Sequence, residues 1–282
     1  MTALLTAVAL VAFAANSLLC RLALGGGGID PVSFTAVRLL SGALVLWLLT
    51  RVGGERSGQG ATHGSWWSGF ALFAYAAAFS LAYVSLSAGI GALILFGAVQ
   101  VTMLGIAMRR GDALGRSQIF GLVAALGGLV VLVLPGITAP DPLGAVLMTG
   151  AGIAWGVYTI RGRGTATPIR MTAGNFARSV PFALLSLLPA ATSLHTNMRG
   201  LGLAIASGAL TSGLGYVVWY RALRGLAVAE AAVLQLLVPV LAALGGVLLL
   251  GEQLSVRLVG ASLLILGGVA LAARKPRAAV AR

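Results

Sequence analysis

The sequence predicts an all-α membrane protein of ten transmembrane helices, arranged as two inverted five-helix repeats. Three observations carry this expectation. The composition is too apolar for a water-facing surface: 59% of the 282 residues are hydrophobic and 9% are charged, against about 25% charged in a typical soluble domain. The apolar residues fall into ten runs, each close to the roughly 20 residues that cross a bilayer as a helix. The chain also aligns with itself, without a gap, at an offset of 140 residues.

The runs are 2–24, 31–50, 66–86, 89–108, 117–134, 142–160, 171–190, 200–220, 227–250 and 255–273. The first has no basic segment ahead of it and no clear cleavage site, so it reads as a retained helix rather than a signal peptide. The second opens at Pro31 and holds Arg38. The third opens on Trp66 and Trp67, which suit an interfacial belt, and only Ser85 to Gly89 separates it from the fourth. Gly127-Gly128 in the fifth, the Gly152/Gly156 pair in the sixth and Gly267-Gly268 in the tenth suit close helix contact. Pro181 and Pro239 are expected to bend the seventh and ninth. Glu230 falls in the first turn of the ninth, where a helix N-terminus favours a carboxylate. The longest hydrophilic stretch is 51–65, so no separate soluble domain fits. The division expected is 1–135 for the first repeat, 141–273 for the second and 274–282 for a basic tail.

Basic residues give the orientation. With the N-terminus inside, 14 of the 19 lie in inside loops or the tail, and Arg21, Arg199 and Arg257 lie outside. Arg38 and Arg178 lie within spans. Such a bias places both termini in the cytoplasm. The net charge of +13 is dispersed between apolar runs, which suits loops beside a lipid bilayer and not nucleic acid.

At the 140-residue offset Arg21 meets Arg161, Arg38 meets Arg178, Gly105 meets Gly245 and Gly111-Asp112 meets Gly251-Glu252. Each half holds five spans. Five is odd, so the second half enters the membrane from the opposite side. Inverted repeats of this kind are a frequent basis for secondary transporters with a site near the midplane. The alternative reading is a duplication retained for structure alone.

The absences narrow the chemistry. The one lysine, Lys275, lies in the tail, so a phosphate-binding GxxxxGK[ST] loop cannot occur. No ATPase subunit and no cofactor are implied. A single cysteine, Cys20, excludes an internal disulfide. His63 and His195 lie in loops on opposite sides, so they cannot share a metal site, and a membrane enzyme is disfavoured. None of the six acids is at mid-span, whereas proton-coupled antiporters commonly use a buried carboxylate. Facilitated diffusion is therefore expected.

Several residues could build a central site. Tyr75, Phe79 and Tyr83 recur at i, i+4 and i+8, on one helix face. Phe96, Trp155 and Tyr216 are further aromatic candidates for its wall, while Trp219, Tyr220 and Tyr158 lie close to Arg221 and Arg161 and suit an inner-interface belt. The amides Asn16, Gln100, Asn175 and Gln235 need partners or a wet cavity, because an unpaired amide in hydrocarbon costs about 2–7 kcal/mol. Asn16, Gln100 and Gln235 are the amides expected at the substrate, with inter-helix packing the rival role. Arg38 and Arg178 either receive a substrate carboxylate or bond backbone carbonyls, and the structural role is the stronger expectation.

The stretch Ala227 to Gly268, with Pro239 in mid-span, Gly251-Glu252, Gly260 and Gly267-Gly268, resembles the second half of an EamA-type member of the drug/metabolite transporter superfamily. Arg38 seven residues after Pro31, and Trp155-Gly156, fit as well. The chain departs from the pattern at Val99, which aligns with Pro239 where the family usually has a second proline. The small multidrug-resistance relatives carry a glutamate in the first helix, where this chain has Asn16 and Ser17. The resemblance implies a bacterial inner-membrane carrier that moves small metabolites outward. Its site would be built from the first, third, fourth, sixth, eighth and ninth helices. Among the branches the chain is most similar to exporters of aromatic and other neutral amino acids. A multidrug or cation exporter, a nucleobase or sugar carrier, and a membrane enzyme are the alternatives.

Overall fold

The computed structural model describes residues 2–52, 63–109, 115–134, 136, 139–162, 165, 167–226 and 234–272. Within them the chain forms ten helical rods. They are α1 (Thr2–Leu24), α2 (Pro31–Val52), α3 (Trp66–Ala82), α4 (Ala88–Arg109), α5 (Arg116–Val133), α6 (Pro142–Gly162), α7 (Pro168–Leu187), α8 (Met198–Leu223), α9 (Leu237–Leu250) and α10 (Val256–Ala272). Among the described residues the only β-type pairing is the bridge between Ile29 and Thr196.

Four rods, α1, α2, α6 and α8, are long and apolar enough to cross a membrane by length and composition. The apolar parts of α3, α4, α5, α9 and α10 are shorter. Rod α7 carries Arg170, Asn175 and Arg178 and is the least apolar of the ten. Two of the boundaries that differ from the sequence expectation have a local cause. The seventh rod starts at Pro168, three residues earlier than the apolar run, because proline suits the first helical position, whose N–H would be unpaired anyway. The third rod stops at Ala82, where the amides of Ser85 and Leu86 turn back onto the Ala82 carbonyl. That turn is what divides α3 from α4. Residues 227–233, with Glu230, lie outside the described residues, as do Glu55, Asp112 and the tail.

The packing follows the exchange that two inverted halves require. α1 lies against α8 and α9, and its counterpart α6 lies against α3 and α4. α2 packs on α7, α4 on α9, and α5 on α10. Exchanging α1–α5 with α6–α10 maps each of these pairs onto another or onto itself.

Successive connections alternate between two ends. At one end His195 N–H donates to Asp30 Oδ2 (2.9 Å), and Ser85 Oγ donates to Asp141 Oδ2 (3.0 Å). The Ala88 N–H donates to both Glu252 oxygens at 2.9 Å, so this carboxylate caps the start of α4. Arg21 stands 3.6 Å from Glu252 and donates to the carbonyls of Tyr83 and Val84. Asp30 also caps α2, accepting from Val32 and Ser33 N–H at 3.0 and 2.8 Å. Burial works against its ionisation, but the bonds from Ser33, His195 and Val32 outweigh it and hold the carboxyl below its usual range. At the opposite end Arg161 donates to Ser65 and Ser68, and Asn175 Oδ1 accepts from Ser65 N–H. Among the described residues, Arg51, Arg109, Arg116, Arg161, Arg170, Arg221 and Arg224 belong to this arginine-rich end, and Arg21, Arg199 and Arg257 to the other.

Candidate functional site

Five rods meet at the centre of the bundle around a small cavity. Its wall is Phe13, Asn16 and Ser17 from α1, Tyr75 and Phe79 from α3, Leu95 and Phe96 from α4, Trp155 from α6 and Tyr216 from α8. The volume is about 10 Å³, room for about one water molecule. The aromatic rings close on one another around Trp155. Its ring centroid lies 5.0 Å from Tyr75, 4.7 Å from Tyr216 and 6.3 Å from Phe13, within the usual span for paired rings. Tyr75 leads on to Phe79 at 5.3 Å, and Phe79 to Tyr83 at 4.7 Å, edge to face. The helical spacing of these three residues therefore does produce one continuous aromatic face.

Of the residues singled out from sequence, Asn16, Tyr75, Phe79, Phe96, Trp155 and Tyr216 line this cavity. Tyr83 lies one turn beyond it, buried, with its hydroxyl donating to the Ala88 carbonyl at 3.3 Å. Gln100 is one turn from Phe96 on the same face of α4 and is buried, and its amide nitrogen has no hydrogen-bond partner among the described residues. Gln235 is buried beside the start of α9. Neither amide is in the cavity wall.

The two span arginines, expected at mirror depths, have different surroundings. Arg178 is half-buried and donates to the carbonyls of His63 (2.6 Å) and Gly174 (3.0 Å). It thus meets backbone at the arginine-rich end, where a second cavity of α2 and α7 residues also touches Trp47 and Arg170. Arg38 is 1% exposed and sits inside the bundle. Its Nε donates to Ser212 Oγ at 3.0 Å, and its Nη2 to the hydroxyls of Tyr75 (3.0 Å) and Tyr216 (3.4 Å). The guanidinium carbon lies 5.2 Å from the Tyr75 ring centre and 5.0 Å from that of Phe79. Its hydrogen-bond partners are therefore side chains of the cavity region and not helix-end carbonyls.

The sequence reading missed part of the site. Phe13, Ser17 and Leu95 are in the wall. Behind it, Ser207–Leu214 of α8 winds as a π-helix, an arrangement that recurs at functional sites. Ser207 and Thr211 both donate to Asn16 Oδ1, at 2.7 and 3.1 Å, and Ser212 receives Arg38. The available signal was the run SGALTSGL, small and hydroxyl-rich in the middle of a span. Three aromatics expected at the inner interface are buried instead. Trp219 packs 5.7 Å from Phe13, Tyr220 is buried, and Tyr158 stacks on Trp155 at 5.3 Å and accepts from Asn175. Their nearness to arginines in the chain misled because these faces of α6 and α8 turn inward. Trp66 and Trp67 are exposed, as an interfacial belt requires. Among the described residues no group of three or more His, Cys, Asp or Glu could hold a metal.

Comparisons with known proteins agree with this architecture. Residues 142–274 match the model of the EamA-like transporter family. An uncharacterized protein of Pseudomonas aeruginosa is 54% identical over 270 residues, covering 96% of this chain and 93% of that one. An uncharacterized transporter of Archaeoglobus fulgidus is 27% identical over 211 residues, covering 73% and 75%. The threonine/homoserine exporter RhtA of Salmonella typhimurium is 32% identical over 119 residues, covering 41% of this chain and 40% of its own. One solved crystal structure superposes over 96% of both chains, with a TM-score of 0.66 and 21% identity, a likeness of fold. The chain is a multi-pass membrane protein of the drug/metabolite transporter superfamily and belongs to the EamA-like transporter family.

Proposed function

We propose that the protein exports small metabolites, amino acids including aromatic ones, across the bacterial inner membrane. Both termini are cytoplasmic in this reading, because the arginine-rich end is the inside. The halves, 1–135 and 141–273, act as the two bodies of an alternating-access carrier, and the tail 274–282 stays inside.

The observation that carries the reading is the central cavity. It lies among rods of both halves and is walled mainly by aromatic rings, with the Asn16 amide, the Ser17 hydroxyl and Leu95. Ring faces accept flat apolar side chains, and Asn16 and Ser17 offer polar contacts. With room for about one water, the cavity must open before a metabolite enters. Rocking of the halves would open it first inside, then outside. Similarity to a threonine/homoserine exporter over part of the chain supports amino acids as the substrate class. The three described carboxylates, Asp30, Asp141 and Glu252, all bind groups at the arginine-poor end, which supports movement down the substrate gradient over exchange through a buried acid.

The test is uptake of labelled amino acids, aromatic ones included, into liposomes carrying the purified protein, with and without a pH gradient. Saturable uptake without the gradient is the expected result, and it should fall in Tyr75→Ala. Rates that collapse when the gradient is removed would refute the facilitator mechanism. No uptake of any amino acid would refute the substrate class and move the search to drugs, nucleobases and sugars.

A further inference from the structure

Arg38 stands out as a buried charge that no described carboxylate neutralises. A cation within a membrane protein is costly and is normally matched by an anion, by carbonyls or by water. Arg178, its repeat mate, donates to two backbone carbonyls. Arg38 instead meets one serine and two tyrosine hydroxyls, and its Nη1 has no hydrogen-bond partner among the described residues, although it is fully buried. No described carboxylate forms an ion pair with it. The three described acids are held at the arginine-poor end, where Glu252 pairs with Arg21.

The position of the guanidinium ties this unmet charge to the cavity. Tyr75, Phe79 and Tyr216 touch it and are themselves part of the cavity wall. We propose that Arg38 is the receptor for a single carboxylate on the transported molecule, so that the carboxylate, and not an amino group, is what the site requires. The proposal rests on the transport reading for its setting, but it names the group recognised.

Guanidinium and carboxylate match as planar partners with two parallel hydrogen bonds. Nη1 supplies free donors. The Tyr75 and Tyr216 hydroxyls, which now accept from Nη2, can rotate to donate to the incoming oxygens. An ammonium group finds much less. Asn16 Oδ1 already accepts from Ser207 and Thr211, which leaves the neutral Ser17 hydroxyl and the faces of Tyr75, Trp155 and Tyr216 as cation sites. A wall backed by a positive charge that no described carboxylate pairs also repels cations. The substrate class is therefore monocarboxylates with an apolar or aromatic body. Amino acids qualify through their carboxylate, and deaminated acids should qualify equally.

The experiment measures binding to the full-length protein in lipid nanodiscs by thermal shift, with four probes. They are phenylalanine, 3-phenylpropionate, 2-phenylethylamine and phenylalaninamide. In the unmodified protein the two carboxylates should bind within about three-fold of each other. The amine and the amide should bind at least about thirty-fold more weakly, the loss typical when one partner of a buried charge pair is removed. Arg38→Gln should abolish that preference while binding the amine no worse, and Arg38→Lys should keep part of it. Helical circular dichroism and gel-filtration elution identify variants that have not folded, and the four-probe ranking in the unmodified protein needs no variant at all. The proposal is overturned if the amine binds as tightly as the acids, if neither acid binds at millimolar concentration, or if folded Arg38→Gln keeps the carboxylate preference. Carboxylates that bind but are not carried in liposomes would refute transport while leaving the receptor assignment standing.

Discussion

Gly208 is where the crossing of α2 and α8 is tightest, and its replacement tests how the site is held. A Cβ at this position would lie 2.1 Å from the Arg38 carbonyl oxygen and 2.1 Å from Ser41 Oγ. The serine can rotate away, but the carbonyl belongs to α2 and cannot move without the helix. Overpacking of this kind costs about 1–3 kcal/mol, and backbone against backbone belongs at the upper end. Gly202 lies on the same rod with nothing within 4 Å of its Cβ direction. There alanine should gain the helix propensity that glycine lacks, up to about 1 kcal/mol. Gly208→Ala and Gly202→Ala should thus differ by about 3–4 kcal/mol. At about 2 °C per kcal/mol for a large chain, the two melting temperatures should separate by roughly 6–8 °C. The assay is thermal unfolding in one detergent, followed by circular dichroism at one fixed scan rate, because unfolding of such proteins is often irreversible. If both variants melt within about a degree of the parent, the close packing of α2 on the π segment is not a constraint and the reasoning fails.

Asp30 gives a pH dependence. Its carboxyl titrates below the ordinary value of 3.8 in the folded protein, so it contributes stability above that pH and loses it as pH falls through the lowered folded value. Asp30→Asn should flatten the acid limb of the stability curve, and an unchanged limb would show that the His195, Val32 and Ser33 bonds carry no such linkage. Arg178→Gln should cost about 1 kcal/mol through its two carbonyl bonds and leave transport at its parental rate. Loss of transport at an unchanged melting temperature would give Arg178 a role at the substrate.

How much of the site was legible follows from which signals are local. Tyr75, Phe79 and Tyr83 could be placed on one face because helical spacing alone decides it. Trp155, Tyr216 and Phe96 could be picked because large aromatics at depth are few. Phe13 and Ser17 escaped because nothing in α1 marks which of its apolar faces turns inward. The π segment escaped because its backbone departs from a regular helix only where Gly208 and Gly213 let it lie on Arg38 and Gly42. Arg38 and Arg178 look alike at the level of the chain, seven residues from Pro31 and eight from Arg170. Only packing separates them. One points among hydroxyls and rings, and the other reaches the carbonyl of His63.

The sequence by itself determined the rods, their number, the inverted halves and the distribution of arginines between the two ends. These follow from the cost of placing charge and unpaired backbone in hydrocarbon, which acts on each segment separately. The tertiary structure alone decided which faces meet, that Trp219, Tyr220 and Tyr158 are buried and not interfacial, and that Arg38 stands behind the cavity wall with no carboxylate partner among the described residues. These depend on contacts between residues far apart in the chain, such as Arg38 with Ser212 and Asn16 with Ser207. In a chain whose faces are nearly all apolar, periodicity does not say which face turns inward. Close packing of small residues between rods makes that choice.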